Sequence, residues 1–389
     1  MVDVVIVGGA VMGASAAFWL TRMHPGLQVT VVERDPSYAR AATALSVASI
    51  RQQFSTGVNV AISRFGIGFI RDFQAGLGRD VGIPSLGLQE NGYLFLRQSP
   101  QAPAQLQAMA EMQHRHGAAT EVWTPAQVQA RFPWLAVDDL TAGSFGSRDE
   151  GWFDNMGLLA GFRAAAREQG ATFVADAVTG VTVEGGRAVS VQLQAGGRVA
   201  CGAVINAAGT RAAAVAAMAG LHLPVEPRKR TVFVIDAPNA RHPDAPLLID
   251  AGFYLRPEQQ QWITATVPQK DGPCDPDDFE PDLDLFEDAI WEPLYARAPG
   301  FDAVKVLRHW VGHYDYNTLD QNAILGPHPA VPNFHYMNGF SGHGLQQSPA
   351  VGRGIAEMVL TGRWQSLDLS DLSVDRMLSG RPFRETAVV

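Results

Sequence analysis

Gly8, Gly9, Ala10, Val11, Met12 and Gly13 follow an apolar run, Val4 to Val7, and open a stretch in which Ala14, Ala17 and Phe18 recur at helical spacing. The chemistry such a turn can do is phosphate recognition. With little side chain in the way, backbone N–H groups approach a pyrophosphate at a helix N-terminus. Glu33 stands twenty residues after Gly13, at the end of a second apolar run from Leu27 to Val32. A carboxylate there accepts hydrogen bonds from ribose hydroxyls and disfavours a 2′-phosphate. Strand, turn, helix, strand and acid thus arrive in the order a dinucleotide-binding unit needs, with Arg34 next. The middle glycine of G-x-G-x-x-G is Ala10, which puts a methyl group where the closest phosphate approach is expected.

The pattern returns twice. Asn206-Ala207-Ala208-Gly209-Thr210 closes the run Val199 to Ile205, and Gly339-Phe340-Ser341-Gly342-His343-Gly344-Leu345-Gln346-Gln347 follows Phe334 to Asn338. Each is a strand-to-helix turn of small residues, and the second precedes a helix expected from about Gln346 to Leu360. Between Ala41 and Ser55 small residues again dominate, Thr43, Ala44 and Ser46 among them, as they must where a backbone lies flat along a cofactor. Arg51 is the lone charge of that run.

Other reactive residue types carry less. His309 and His313 are four apart, but a period of two there puts them on a strand, so no metal site is expected. Gly339-Phe340-Ser341-Gly342-His343 misses the nucleophile motif G-x-S-x-G at its last position. Residues 275–288 hold eight acids, yet Phe279 and Glu280 break the calcium-loop pattern, and a solvated loop leading into a helix is expected. Arg228-Lys229-Arg230 reads as strand-end solvation. Cys201, in an expected strand, and Cys274, in the acidic loop, form neither a disulfide framework nor a metal cluster.

Elements must position these residues. At 389 residues the chain suits two domains. A helix is expected over 58–77, strands within 88–97, a helix over 103–116 and a capped helix start at Thr124-Pro125. A further helix is expected over 158–169, then strands to Ile205. Residues 230–266 alternate with period two and are assigned to a second sheet. The net charge of −9 argues against a nucleic-acid partner. No apolar run reaches membrane-spanning length and none precedes the first strand, so neither a span nor a targeting segment is expected, and the expected compartment is cytoplasmic.

The N-terminal fingerprint with Glu33, Asn206-Ala-Ala-Gly209, Trp310-Val-Gly312 with Asp320 and Leu325-Gly326, and Gly339-Phe-Ser-Gly-His-Gly344 together resemble the FAD-dependent D-amino acid oxidase and sarcosine–dimethylglycine dehydrogenase superfamily. Ser49-Ile-Arg51-Gln-Gln-Phe-Ser55 and Tyr314-Asp-Tyr-Asn-Thr318 look closest to a mitochondrial branch linked to respiratory-complex assembly. The resemblance implies an α/β fold: a discontinuous Rossmann-like FAD-binding domain (1–85, 150–220 and 308–389) and an α+β substrate domain on an antiparallel sheet (86–149 and 221–307). It also implies oxidation of an amino acid or N-alkylated amino acid by hydride transfer from the α-carbon to flavin N5, giving an imine that hydrolyses. Oxygen, a quinone or an electron-transfer carrier would take the electrons. The alternative is an assembly or interaction factor whose FAD is mainly structural.

Carried over by position, Arg51 matches a carboxylate-binding arginine and His343 a histidine at the flavin edge, able to polarise the flavin or assist amine deprotonation. Tyr254 and Tyr314 would point phenols into the pocket. Gly8 to Gly13, Glu33, Arg34, Thr43, Ala44, Ser46, Val178, Ala208, Gly209, Gly342, Gly344, Leu345 and Gln346 would hold the cofactor. There are departures. His313-Tyr314 replaces the clamping arginine that glycine and D-amino acid oxidases carry after Trp-x-Gly. Gln346 stands where sarcosine oxidases have a lysine. No histidine lies near residues 41–55 and neither cysteine is in a flavinylation motif, so FAD is expected to be non-covalent. Trp262 to Thr266 lacks the oxygen-activating lysine, which tilts the expectation toward a dehydrogenase.

Overall fold

Val4 to Val7 are buried on both faces, as a central parallel strand requires. In the computed structural model, which describes residues 2–387, that strand (Val2–Val7) lies at the middle of an eight-stranded sheet. On one side it pairs in parallel with Val29–Glu33, which pairs with Thr172–Ala175; on the other it pairs in parallel with Arg198–Asn206, which pairs with Val331–Asn338. Chain order therefore reverses between the first strand and Arg198–Asn206, the point where open α/β sheets bind ligands at their carboxyl ends. The strand ends Val7, Glu33, Asn206 and Asn338 lie along that one edge.

The first helix, Val11–Met23, is buried from Val11 to Thr21, so it is a central element rather than a surface one. It packs on the helix Gly344–Thr361, which contains Pro349. Proline has no N–H to give the carbonyl four residues back. Ser348 Oγ supplies that bond to the Leu345 carbonyl at 2.9 Å, while the Ser348 and Pro349 carbonyls accept from Ser15 Oγ (2.7 Å) and Trp19 Nε1 (2.9 Å) of the first helix. The helix Gly57–Arg71 joins them: a Cβ on Gly66 would stand 2.6 Å from the Gln346 carbonyl, so only glycine permits this approach. The expected helix 58–77 breaks at Asp72 and resumes as Phe73–Leu77.

The second sheet also has eight strands, in the order Lys305–Asn317, Val225–Asp236, Gln261–Thr266, Phe253–Glu258, Leu247–Asp250, Tyr93–Arg97, Ala142–Gly146 and Thr120–Trp123. All neighbours are antiparallel except Leu247–Asp250 with Tyr93–Arg97. The expected boundary at 308 falls inside Lys305–Asn317, a strand of this sheet. Strand structure expected from 88 starts at Tyr93, because Gly92 takes φ +90°. One face carries an aromatic core that includes Phe233, Trp262 and Phe301; the other faces the first sheet's ligand edge. The cap at Thr124 forms as expected, a reciprocal box with Gln127. Among the described residues, no helix is long and apolar enough to cross a membrane.

Candidate active site

The turns converge because their strands are neighbours. Gly8 takes φ +99°, and a Cβ there would meet the Ala207 carbonyl at 2.4 Å, so the first two turns touch across the switch point only through glycine. Gly13 fills the other tight contact, where a Cβ would stand 1.9 Å from the Gly8 carbonyl. Neither Val11–Met23 nor Gly344–Thr361 has a side-chain cap or an acid in its first turn. Apart from the Val11 N–H, which Thr43 Oγ1 accepts, their N-terminal N–H groups and dipoles are thereby left for an anion.

Both helix starts open on a single cavity of about 1170 Å³, larger than one small ligand needs. Its walls hold the expected Gly8, Ala10, Val11, Met12, Glu33, Arg34, Thr43, Ser46, Val178, Ala208, Gly209, Gly342, Gly344, Leu345 and Gln346. Gly9, Gly13 and Ala44 are not on the wall. Gly9 donates its N–H to Glu33 Oε2 at 2.7 Å, and the other carboxylate oxygen accepts from the Asp35 N–H at 2.8 Å. The acid is thus fixed by backbone before any ligand arrives. Thr43 Oγ1 accepts from the Val11 N–H (3.2 Å), and Asn155 and Trp310 donate to the Thr43 and Leu45 carbonyls at 2.6 and 2.9 Å. The small-residue run is thereby pinned flat along the cavity. Uncapped helix starts, fixed acid and flat backbone fit a long dinucleotide.

Arg51 and His343 meet at the inner end. Arg51 is 2% exposed. Its guanidinium lies 4.1 Å from the Phe54 ring centre and donates to the Gln53 and Ala387 carbonyls and, at 2.9 Å, to His343 Nε2. An arginine only donates, so Nε2 is the acceptor and the imidazole proton sits on Nδ1. Burial, then the Arg51 charge, hold the His343 pKa well below the usual histidine range. His343 is therefore a neutral donor toward the cavity, and Nε2 is not available as a base. Gln346 Oε1 accepts from the Arg51 N–H at 3.0 Å, so this departure from the family pattern fixes the arginine's backbone.

The second sheet roofs the cavity with Tyr254, Tyr314, Val232, Leu247 and Ile249. Burial raises the Tyr254 and Tyr314 pKa values, leaving neutral phenols. Sequence reading missed Tyr93, whose hydroxyl donates to Ser49 Oγ at 3.1 Å, and Arg230, whose guanidinium lies 4.9 Å from the Tyr314 ring centre. Arg228, Lys229 and Arg230 do not end a strand; they lie within Val225–Asp236. Asp271 binds Arg228 and Arg230, and Asp278 and Asp282 bind Lys229. The acidic segment is a loop leading into the helix Phe286–Trp291, as expected, with its acids paired to these basic residues. It docks across the cavity mouth, where Asp277 meets Arg34 and Arg211 and Phe279 packs on Arg40 and His313. His309 is exposed and His313 buried, and no cluster of metal-ligating side chains occurs among the described residues.

Asp315 was also missed. Its carboxylate accepts from the Gly339 and Phe340 N–H groups at 2.9 and 3.2 Å, its carbonyl accepts from Ser341 N–H at 3.1 Å, and Ser341 Oγ accepts from Asn317 N–H at 3.0 Å. These bonds hold Ser341 at φ +51°, the backbone strain of the third turn.

A doubly wound sheet whose ligand edge carries a dinucleotide cradle, roofed by a second sheet with a buried arginine and histidine beneath it, defines a nucleotide-dependent oxidoreductase. The profile of the FAD dependent oxidoreductase family matches residues 3–358, and the chain belongs to that family. Its cofactor is FAD. FAD-dependent oxidoreductase domain-containing protein 1 from Bos taurus is 39% identical, over 100% of this chain and 87% of that protein. Mitochondrial dimethylglycine dehydrogenase from Mus musculus is 25% identical over 96% of this chain and 44% of its own length. The crystal structure of L-proline dehydrogenase from P. horikoshii superposes with a TM-score of 0.86 over 98% of both chains at 24% identity, a likeness of fold. The chain is thus an FAD-dependent oxidoreductase of the amino acid oxidase family.

Proposed function

We propose that the protein oxidises an amino acid or an N-alkylated amino acid, with Arg51 holding the substrate carboxylate. One observation carries this reading. Arg51 is a buried guanidinium on the cavity wall, and among the described residues no carboxylate forms an ion pair with it; Glu385 and Glu150 act on it only from a distance. A buried cation met by carbonyls, an imidazole and the Phe54 and Phe95 rings but by no opposite charge is costly, and an anionic substrate would complete it. The name of the dimethylglycine dehydrogenase relative, an N-methylated amino acid, supports the substrate class.

In this reading Arg51 fixes one end of the substrate and the Tyr254–Tyr314 roof excludes water. His343 offers Nδ1–H to the cofactor edge or substrate instead of removing a proton. The substrate amine therefore enters neutral, and its lone pair forms C=N as the α-hydrogen leaves with its electron pair. The chemistry FAD supplies when bound is acceptance of that hydride. Water then adds to the imine, releasing amine and oxo acid. The proposed acceptor is a quinone or electron carrier, in keeping with a cavity wall whose described residues include arginines and no lysine.

The test is anaerobic mixing of holoenzyme with a panel of N-methylated, cyclic and simple amino acids. Loss of flavin absorbance at about 450 nm with one class is the expected result. A flavin reducible by dithionite but by none of the panel would replace the reading with a structural role for FAD.

A further inference from the structure

We propose that Glu385 is a positioning residue for Arg51, acting through the chain segment 381–387. Glu385 stands 334 positions after Arg51 in the chain, yet its carboxylate is wholly buried beside the loop that carries the arginine. One oxygen accepts from the Ser55 N–H (2.7 Å) and Oγ (2.6 Å); the other accepts from Thr56 Oγ1 (2.9 Å) and Asn59 Nδ2 (3.0 Å). Three of these donors sit in the turn between Arg51 and the helix Gly57–Arg71, and the fourth, Asn59, lies in that helix's first turn. The carboxylate also accepts from the Ala387 N–H at 3.0 Å, which closes the chain into a local turn and brings the Ala387 carbonyl onto the Arg51 guanidinium.

The segment is anchored upstream as well. Asp320, in a buried ion pair with Arg376, accepts from the Phe383 N–H at 2.9 Å through its side chain and from the Glu385 N–H at 3.1 Å through its carbonyl. Asn322 donates to the Phe383 carbonyl at 2.6 Å, and the Thr386 N–H donates to Ser55 Oγ at 2.8 Å. A chain stretch serving only to cover surface needs no such buried polar set.

The consequence lies in how Arg51 spends its donors. A guanidinium has five N–H groups. Among the described residues Gln53, Ala387 and His343 take three, Nη2 giving both of its own, and the guanidinium plane is fixed against Phe54. Glu385 is not on the cavity wall; it sets the acceptor that, with Gln53 and His343, holds that plane. The inference rests on the proposed carboxylate role of Arg51 for its functional readout only.

The experiment uses FAD-loaded protein and two probes, acetate and benzoate, read by perturbation of the flavin spectrum. Alongside, hydrogen exchange is followed in the peptide spanning Arg51 to Ser55. Glu385→Ala and a chain ending at Phe383 are expected to weaken probe binding roughly ten- to hundredfold and to speed exchange in that peptide, with FAD content retained. Glu385→Gln keeps an acceptor for Ser55, so it is expected to fall between these and the wild type, and it serves where the alanine variant misfolds. Unchanged or tighter probe binding would overturn the positioning role, the latter by showing that Ala387 competes for Arg51. If the wild-type protein binds neither probe, the carboxylate reading of Arg51 fails; the positioning role then stands on faster exchange in the variants and falls if exchange is unchanged.

Discussion

Arg51 lies 2% exposed, with its charge answered by carbonyls and an imidazole. Arg51→Gln is therefore expected to lower kcat/KM by roughly a hundredfold or more while leaving FAD content intact, and Arg51→Lys to recover little, since a point charge cannot reproduce a planar fork. Steady-state kinetics beside flavin absorbance check this. Glu150 makes a different prediction. It accepts from the Gln52 N–H and Gln53 Nε2 at 2.7 and 2.8 Å, yet burial pushes its carboxyl up from 4.5 to about 7. A folded-state pKa above the unfolded value means the native form binds the proton more tightly. The favourable contribution is then full below the unfolded pKa and is lost as pH rises through the folded one. Glu150→Gln is expected to flatten the fall in Tm between about pH 4.5 and 7, measured by scanning fluorimetry. At this scale the sequence was informative where chemistry is local. Arg51 stood out as the only charge in a small-residue run; Glu150, Asp315 and Glu385 did not, because their partners are distant in the chain and no spacing records that.

Turns and helix starts were legible because glycine spacing reports the backbone directly. What the elements press against was less so. Of the two glycines in the middle of the helix Gly57–Arg71, Gly66 and Gly68, only Gly66 lies against a neighbour. Gly66→Ala is expected to cost about 1–3 kcal/mol by pushing on the Gln346 carbonyl, with a larger loss of activity than of stability, since Gln346 holds the Arg51 N–H. Ser348→Ala would leave the Leu345 carbonyl unpaired, an expected loss of about 1 kcal/mol. Urea denaturation of both variants tests the pair. The loop and the helix it leads into were legible over 275–288, but the pairing of its acids was not, because a run of acids looks the same whether it faces water or a basic strand. Its ion pairs with Arg34 and Arg211 are half exposed, so each contributes little; those of Asp271 with Arg228 and Arg230 are more enclosed.

For the whole molecule, the parallel arrangement around the switch point followed from the order of strand, turn and helix, and the two-sheet division from the change of period. The depth of the cavity between the sheets did not, since it depends on the packing of both. Because the cofactor's place runs between them, FAD is expected to stabilise the folded chain by mass action, about 4 kcal/mol at a thousandfold excess over Kd. A deflavinated sample should melt well below the holoprotein and recover on adding FAD.

Asp315, Ser341 and Asn317 sew the longest strand of the upper sheet to the bend that starts the last large helix. Floor and ceiling of the reaction chamber are consequently one stitched piece along that seam, with a fixed height there. Beside that seam the acidic segment closes the cavity through paired charges within reach of salt, Asp277 with Arg34 and Arg211. Entry, rather than chemistry, should then be the step that ionic strength alters.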